Sequence, residues 1–271
     1  MKREPVVAGY FYPGKRETLL TNLRELIIFE DLKISALGIV VPHAGYVYSG
    51  KVAGKVYGRI EPPDTAIILG PNHTGLGCRV ALFPEGSFLT PLGETPIDRD
   101  LLLLITEETP FTTLDVLAHL KEHSLEVQVP FLQFLNPEIK IVALTLRDLA
   151  LEEIRKIGEG LSKAINRYKE ISGKNVLLIA SSDFSHYEPH TEAQNKDRLA
   201  IEAILKLSER ELLEVVSRER ISMCGVFPVA VLLVTCKSLG AKEAHLIEYK
   251  TSGDITGDYY SVVGYAGIII Q

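Results

Sequence analysis

The chain has 271 residues, 46% of them hydrophobic and 24% charged, which is the usage of a globular protein with a sizeable core. Its formal net charge of −6 argues against a general nucleic-acid-binding protein, because such proteins carry a basic face. Its 3 cysteines are too few for a disulfide framework, and its longest apolar run is about half of the roughly 20 residues that span a bilayer, so we predict a cytoplasmic protein without membrane contact.

Six short apolar runs predict buried β-strands. They are rich in β-branched residues and bounded by Gly, Pro, Asp or Asn, and their continuous hydrophobicity is typical of a sheet covered on both faces. In chain order they span residues 37–41, 65–69, 139–146, 175–180, 244–249 and 261–270. The last two follow each other without a predicted helix, so we expect an antiparallel or mixed edge.

Amphipathic segments between these runs predict helices. They span residues 15–30, 151–168, 191–207 and 225–239. This alternation predicts an α/β fold, a three-layer α/β/α sandwich with a largely parallel or mixed central sheet. No repeat or linker divides the chain, so we predict a single domain over residues 1–271. The turn-rich segment 79–113 predicts loops and a hairpin.

Histidines follow three of the predicted strands at the point where each strand ends. His43 follows the first, His73 the second, and Asp183 with His186 the fourth. Ligands of open α/β sheets bind outside the carboxyl ends of the strands. A lone histidine there is usually a hydrogen-bonded turn residue, but two histidines with a third donor are the minimum for a metal site with an open position. The convergence favours a metal or catalytic role for His43 and His73.

Cys224 is the candidate third donor. It lies just before the predicted helix at 225–239, which carries Pro228 in its first turns, where proline is tolerated. At a helix N-terminus the pKa of a thiol is lowered, because the helix dipole favours the thiolate that binds metal. The alternative is a small buried hydrophobic residue, which is our interpretation of Cys78 and Cys236.

A polar cluster spans Glu122 to Glu126. In a helix, His123 and Glu126 would lie on one face and could both face the cleft. A solvated helix face is an equally good interpretation of the same pattern.

The segment from Gly45 to Lys51 has the glycine and lysine spacing of a phosphate-binding loop. Val52, however, stands where a Ser or Thr hydroxyl would bind Mg²⁺. We therefore interpret these glycines as serving the site at His43 instead.

The chain resembles the Memo family throughout its length. The matching segments occur in one order: AGYFYP (8–13), PHAGYVYSG (42–50), GPNH (70–73), EHSLE (122–126), SDFSHY (182–187) and CG (224–225). The resemblance implies the fold of the class III non-haem iron extradiol dioxygenases. It also implies that His43, His73 and Cys224 bind one mononuclear metal ion, with iron as the first choice and copper or zinc as alternatives.

The same resemblance places Asp183 and His186 in the cleft, with His186 in the position of the acid/base histidine of the dioxygenases. Those enzymes hold iron with two histidines and a carboxylate, whereas the third donor here is the thiolate of Cys224. Because thiolate is softer and shifts the preference toward copper or zinc, ring cleavage does not follow from the fold. The resemblance further suggests a pathway association with a radical-SAM enzyme and, in animal relatives, phosphopeptide binding.

Three functions remain open: a dioxygenase-like oxidoreductase, a binding module and a zinc hydrolase. In the oxidoreductase, His186 moves protons and Asp183 orients the site. In the zinc hydrolase, Glu126 is the general base.

The second function is a binding module that holds a small molecule or peptide in a retired active-site cleft. Its aromatic lining would come from five tyrosines, Tyr10, Tyr12, Tyr46, Tyr48 and Tyr187, unless these simply pack with their hydroxyls satisfied. Among the candidates we assign Tyr12, Tyr48 and His123 to ligand binding.

Overall fold

The computed structural model describes residues 1–271. The strands are β1 (Lys2–Arg3), β2 (Gly38–Val41), β3 (Thr65–Pro71), β4 (Val80–Leu82), β5 (Ser87–Thr90), β6 (Gly93–Pro96), β7 (Thr113–Leu114), β8 (Lys140–Leu146), β9 (Val176–Ser181), β10 (His186–Glu188), β11 (Ala244–Thr251) and β12 (Val262–Ile270). The helices are α1 (Arg16–Leu26), α2 (Tyr46–Tyr57), α3 (Arg99–Glu108), α4 (Val129–Leu135), α5 (Leu151–Ser172), α6 (His190–Leu205), α7 (Glu209–Arg218), α8 (Val226–Ser238) and α9 (Gly253–Thr256).

A nine-stranded mixed sheet forms the centre of the molecule. Its order is β10-β12-β2-β9-β3-β8-β4-β7, with β11 paired to β12. The four central strands β2, β9, β3 and β8 are parallel, whereas β12 runs antiparallel to both β2 and β11. All six predicted strands and the antiparallel edge are therefore confirmed. A separate small sheet joins β1, β5 and β6.

Helices cover both faces of the large sheet. Gly38 and Gly267 mark opposite faces of the sheet. Gly38 pairs with Ile270 and shares its face, and Gly267 lies three residues before Ile270 on a strand whose side chains alternate between the faces. Gly38 lies against Leu232 of α8, and Gly267 lies against Val56 of α2. Helices α1 and α4 pack on α2, and α5 and α7 pack on α8. This is the predicted three-layer sandwich, and every residue of β2 and β3 is buried between its helical layers.

The four predicted helices are α1, α5, α6 and α8, with ends shifted by at most four residues. Helices α2, α3, α4, α7 and α9 were not predicted. Within 79–113 the predicted hairpin is β5–β6, but α3 follows it, and the Asp98 side chain caps this helix by accepting from the backbone N–H of Leu101. None of the nine helices combines the length and the hydrophobicity that a membrane-spanning helix needs.

Of the two glycines in the 45–51 segment, Gly50 serves helix packing, so the interpretation that these glycines serve the site at His43 was wrong for Gly50. This residue lies in α2 against the side chain of Leu26. One turn later, a Cβ on Gly54 would be 2.1 Å from the backbone oxygen of Leu26. Only glycine lets α1 and α2 approach this closely.

His119 is a fully buried histidine outside the candidate site. Its Nε2 donates to the backbone oxygen of Ala81 at 3.0 Å, and its ring packs edge-on against Phe83. Burial lowers the pKa of His119 from 6.5 to about 4.

We expect His119→Gln to weaken the acid sensitivity of the metal-free protein. Unfolded His119 binds a proton below pH 6.5 and folded His119 only near pH 4, so stability is lost as the pH falls between these values. At pH 4 and below, His119 is expected to lower the free energy of unfolding by about 3 kcal/mol. Urea unfolding at pH 7 and pH 4 measures it, and His245→Gln controls for loss of an imidazole as such. The same pH dependence in wild type and His119→Gln would contradict the assignment.

Candidate metal centre

The candidate site lies at the carboxyl edge of the parallel strands. His43 follows β2, His73 follows β3, and Asp183 and His186 follow β9. Strand β9 lies between β2 and β3, so the three strand ends are neighbours. The sheet topology therefore brings together residues that are far apart in the chain.

Three imidazoles meet at this edge. One ring nitrogen from each of His43, His73 and His123 lies within 4.8 Å of the others. The ring centroids of His73 and His123 are 4.8 Å apart, and the His43 centroid is 5.2 Å from that of His73 and 5.4 Å from that of His123. His123, assigned from the sequence to ligand binding, is grouped by the structure with the two predicted metal ligands.

The segment that carries His123 is not the helix considered from the sequence. His123 precedes a short 3₁₀ helix at Glu126–Gln128, and Glu126 begins that helix. The two residues therefore do not share a helix face, and only His123 joins the histidine cluster.

Cys224 adjoins the cluster. Its Sγ is 3.2 Å from Nε2 of His43 and accepts a hydrogen bond of 3.3 Å from the backbone N–H of Asp183. Two donors on one metal ion at ordinary bond lengths are about 3.5 Å apart, so the S···N spacing fits an ion shared with His43. Cys224 is not, however, one of the three residues whose ligand atoms all lie within 4.8 Å of one another. The lowered thiol pKa expected from the helix dipole is not found, because burial and the carboxylate of Asp183 raise the pKa of Cys224. The thiol keeps its proton until a cation replaces it.

Glu122 fixes the ring of His73. Its Oε1 accepts from Nδ1 of His73 at 2.9 Å and from the backbone N–H of Ser124 at 2.9 Å, and its Oε2 accepts from the backbone N–H of His73 at 2.7 Å. Burial opposes ionisation, but the hydrogen bonds from His73 hold the pKa of Glu122 at about 2. An ionised carboxylate only accepts, so Nδ1 of His73 carries a proton and Nε2 is the atom left to bind metal.

The charges of the remaining groups also suit a cation. Burial, and then the neighbouring imidazoles, lower the pKa of His43 well below its ordinary value, and burial lowers the pKa of His123. Burial likewise opposes protonation of His73, yet its hydrogen bond to Glu122 raises the pKa of His73. His43 and His123, which favour the neutral form, together with His73 and the buried thiol form a donor set that fits a transition-metal ion once that ion displaces any second proton of His73.

Asp183 contacts the backbone of His43, and His186 follows three residues later at the start of β10. Oδ1 of Asp183 accepts from the backbone N–H of His43 at 2.8 Å, and burial raises the pKa of Asp183 to about 6. Nδ1 of His186 lies 2.9 Å from the backbone oxygen of Ser222. Because a carbonyl oxygen only accepts, this nitrogen carries the proton and Nε2 of His186 is free to accept one.

Glu126 is saturated with hydrogen bonds. Its Oε2 accepts from Arg3 Nη1 at 2.7 Å and from the Val6 N–H at 2.8 Å. Its Oε1 accepts from the Val7 N–H at 3.0 Å and from the Tyr12 hydroxyl at 2.7 Å. A carboxylate that accepts four hydrogen bonds has no lone pair left for a substrate proton, so these contacts favour an anchoring role over that of a general base.

The five tyrosines fall into two groups. Tyr12 and Tyr46 are buried with satisfied hydroxyls, the latter donating to the backbone oxygen of Val127 at 2.6 Å. Tyr10, Tyr48 and Tyr187 are exposed. The hydroxyl of Tyr12, assigned to ligand binding, is engaged with Glu126, but Tyr12 and Tyr46 still line a surface groove together with Tyr10.

Sequence reasoning missed the polar residues that support the histidines. Glu122, Ser181 and Gln128 are all buried beside the cluster. The only signal in the sequence was position, because Glu122 precedes His123 and Ser181 ends a predicted strand. Nothing in the sequence distinguished Gln128.

Comparisons of the sequence with known proteins agree on one family. Residues 3–269 match the family described as Memo-like protein. A MEMO1 family protein of Methanopyrus kandleri is 42% identical over 285 residues, covering 100% of this chain and 99% of its own. One from Thermotoga neapolitana is 41% identical over 288 residues and covers 100% of both chains. Among solved structures, an uncharacterized protein of Escherichia coli K12 shares the fold, with a TM-score of 0.57 at 12% identity over 84% of this chain and 98% of that one.

Proposed function

The chain belongs to the Memo family, and on that premise we propose that it binds one mononuclear metal ion and acts as an oxidoreductase. The observation that carries the proposal is the convergence of His43, His73 and His123 within 4.8 Å, beside the thiol of Cys224. Iron is the proposed metal, with copper and zinc as alternatives.

His43, His73 and Cys224 are the proposed ligands. The two histidines would use Nε2, because Nδ1 of His73 is hydrogen-bonded to Glu122 and Nδ1 of His43 to Ser181. Cys224 would supply the negative charge that offsets part of the cation's charge in this buried site. His123 lies within reach as a further donor.

Bound iron or copper would supply one-electron redox chemistry that no side chain of the cluster offers. His186 would hold or release a proton at Nε2, since its Nδ1 is committed to Ser222. Asp183 would keep the backbone of His43 in place through its Oδ1. The zinc hydrolase with Glu126 as base is not favoured, because the four contacts of that carboxylate leave it no free lone pair.

A binding module is the second candidate, and one observation favours it. A surface groove of about 640 Å³ runs between α1 and the segment 9–13. Phe11 lines this groove and also packs edge-on against His123 with ring centroids 5.0 Å apart. A peptide in the groove would therefore lie next to the histidine cluster.

Metal analysis of protein purified without chelators tests the metal site. We expect one equivalent of iron or copper in wild type and its loss in His43→Ala and Cys224→Ser, because each change removes a ligand. Cys236→Ala is the matched control, since Cys236 is buried in α8 away from the cluster. Absence of metal from the wild type, even after anaerobic addition of Fe(II), would overturn the proposal.

Oxygen uptake by the metal-loaded protein, with ascorbate as electron donor, tests the oxidoreductase role. We expect turnover that falls about 10²-fold or more in His186→Gln, which loses the proton-transfer group. Bound zinc without turnover would contradict the redox role. Peptide capture that is equal in wild type and His43→Ala would then favour the binding module.

A further inference from the structure

The ring orientation of His43 is controlled by a buried polar chain behind it. Nδ1 of His43 lies 3.0 Å from the hydroxyl of Ser181. That hydroxyl also contacts the backbone oxygen of Ser124 at 2.7 Å and Nε2 of Gln128 at 2.9 Å. These side chains are all buried, so water does not compete for the contacts.

The direction of the Gln128 amide is fixed first. Its nitrogen lies 2.9 Å from the backbone oxygen of Pro42, and its oxygen accepts from the hydroxyl of Tyr57 at 3.1 Å. A flipped amide would set two acceptor oxygens against each other at Pro42. The Gln128 nitrogen must therefore donate both to Pro42 and to Ser181.

The single hydroxyl hydrogen of Ser181 is fixed next. The hydroxyl accepts from Gln128, and its hydrogen goes to the backbone oxygen of Ser124. Turning that hydrogen toward His43 would leave the buried carbonyl of Ser124 without this hydrogen bond, which is costly because water cannot replace it. The third contact of Ser181 must therefore be donated by Nδ1–H of His43.

We propose that Ser181, oriented by Gln128, is a positioning residue that holds His43 as the tautomer with its proton on Nδ1. The lone pair on Nε2 is then directed at the cluster, where Sγ of Cys224 lies 3.2 Å away. The chain of contacts prepares His43 as a ligand before any ion arrives. The consequence for metal affinity rests on the proposed function, whereas the tautomer itself is a property of the metal-free protein.

Nitrogen NMR of the metal-free protein, labelled with ¹⁵N-histidine, tests the tautomer directly. We expect wild-type His43 to be protonated on Nδ1, and Ser181→Ala to populate the form protonated on Nε2, because the acceptor for Nδ1–H is gone. Gln128→Leu should give a smaller shift in the same direction, and it keeps the test valid if Ser181→Ala fails to fold. Gln133→Leu, a buried glutamine in α4 away from the histidines, is the matched control.

A second readout is the dissociation constant for Co²⁺, followed by its visible absorption. We expect about 10–100-fold weaker binding in Ser181→Ala and no change in Gln133→Leu. His43 protonated on Nε2 in wild type, or a tautomer unchanged by both Ser181→Ala and Gln128→Leu, would overturn the inference. Failure of wild type to bind any metal would overturn the proposed function but leave the tautomer result standing.

Discussion

Exchange of Glu122 for glutamine is expected to lower the metal affinity of the protein by about 10–100-fold. Both carboxylate oxygens of Glu122 accept hydrogen bonds from His73, one from Nδ1 and one from the backbone N–H. A glutamine offers one oxygen and one NH₂ group. If the NH₂ group faces Nδ1, the ring must carry its proton on Nε2, which then cannot bind metal. If it faces the backbone N–H, two donors repel each other.

Isothermal titration of the metal-free protein with Zn²⁺ or Co²⁺ measures this effect. Asp115→Asn is the matched control, since Asp115 accepts from the backbone N–H groups of Cys78 and Leu117 in neighbouring loops but touches no histidine of the cluster. Equal losses of affinity in Glu122→Gln and Asp115→Asn would mean that loop order, and not the state of the His73 ring, determines binding.

Exchange of Arg3 for methionine is expected to destabilise the fold by about 3–5 kcal/mol. Arg3 is 2% exposed, and its guanidinium lies 2.7 Å from the fully buried carboxylate of Glu126. The same guanidinium donates to the backbone oxygens of His119 and Glu122. Removal of Arg3 would leave a buried negative charge without its cation, which is the costly way to break such a pair. Urea unfolding at pH 7 measures the loss.

Two further variants distinguish the charge effect from the loss of packing. The double variant Arg3→Met/Glu126→Gln removes the unpaired charge, while the glutamine oxygen still accepts from the N-terminal segment. We expect it to lose clearly less stability than the sum of the two single variants. Lys206→Met breaks an ion pair with Glu211 on the surface and should leave stability unchanged within error. Additive single effects would show that the pair is not coupled.

Hydrophobic pattern was sufficient to predict the sheet. The runs that became β2, β3, β8 and β9 are short, mostly apolar and rich in β-branched residues, which favours strands covered on both faces. Helix α2 was missed because Gly50 and Gly54 lower its helix propensity, and close packing on α1 overrides that loss. Helix α3 was missed because the turn residues of the preceding hairpin led to a prediction of loops over the whole segment 79–113.

The sequence by itself determined the fold class, the family resemblance and the strand ends at which His43, His73, Asp183 and His186 are found. These follow from local pattern, because a strand and the turn after it are encoded within a few residues. Only the tertiary structure decided which groups support the cluster. It brought His123 beside His43 and His73, turned Glu126 toward Arg3, and placed Ser181 and Glu122 behind two of the rings. Hydrogen-bond partners depend on distances between elements far apart in the chain, and buried polar groups must all be satisfied at once, so no local pattern encodes them.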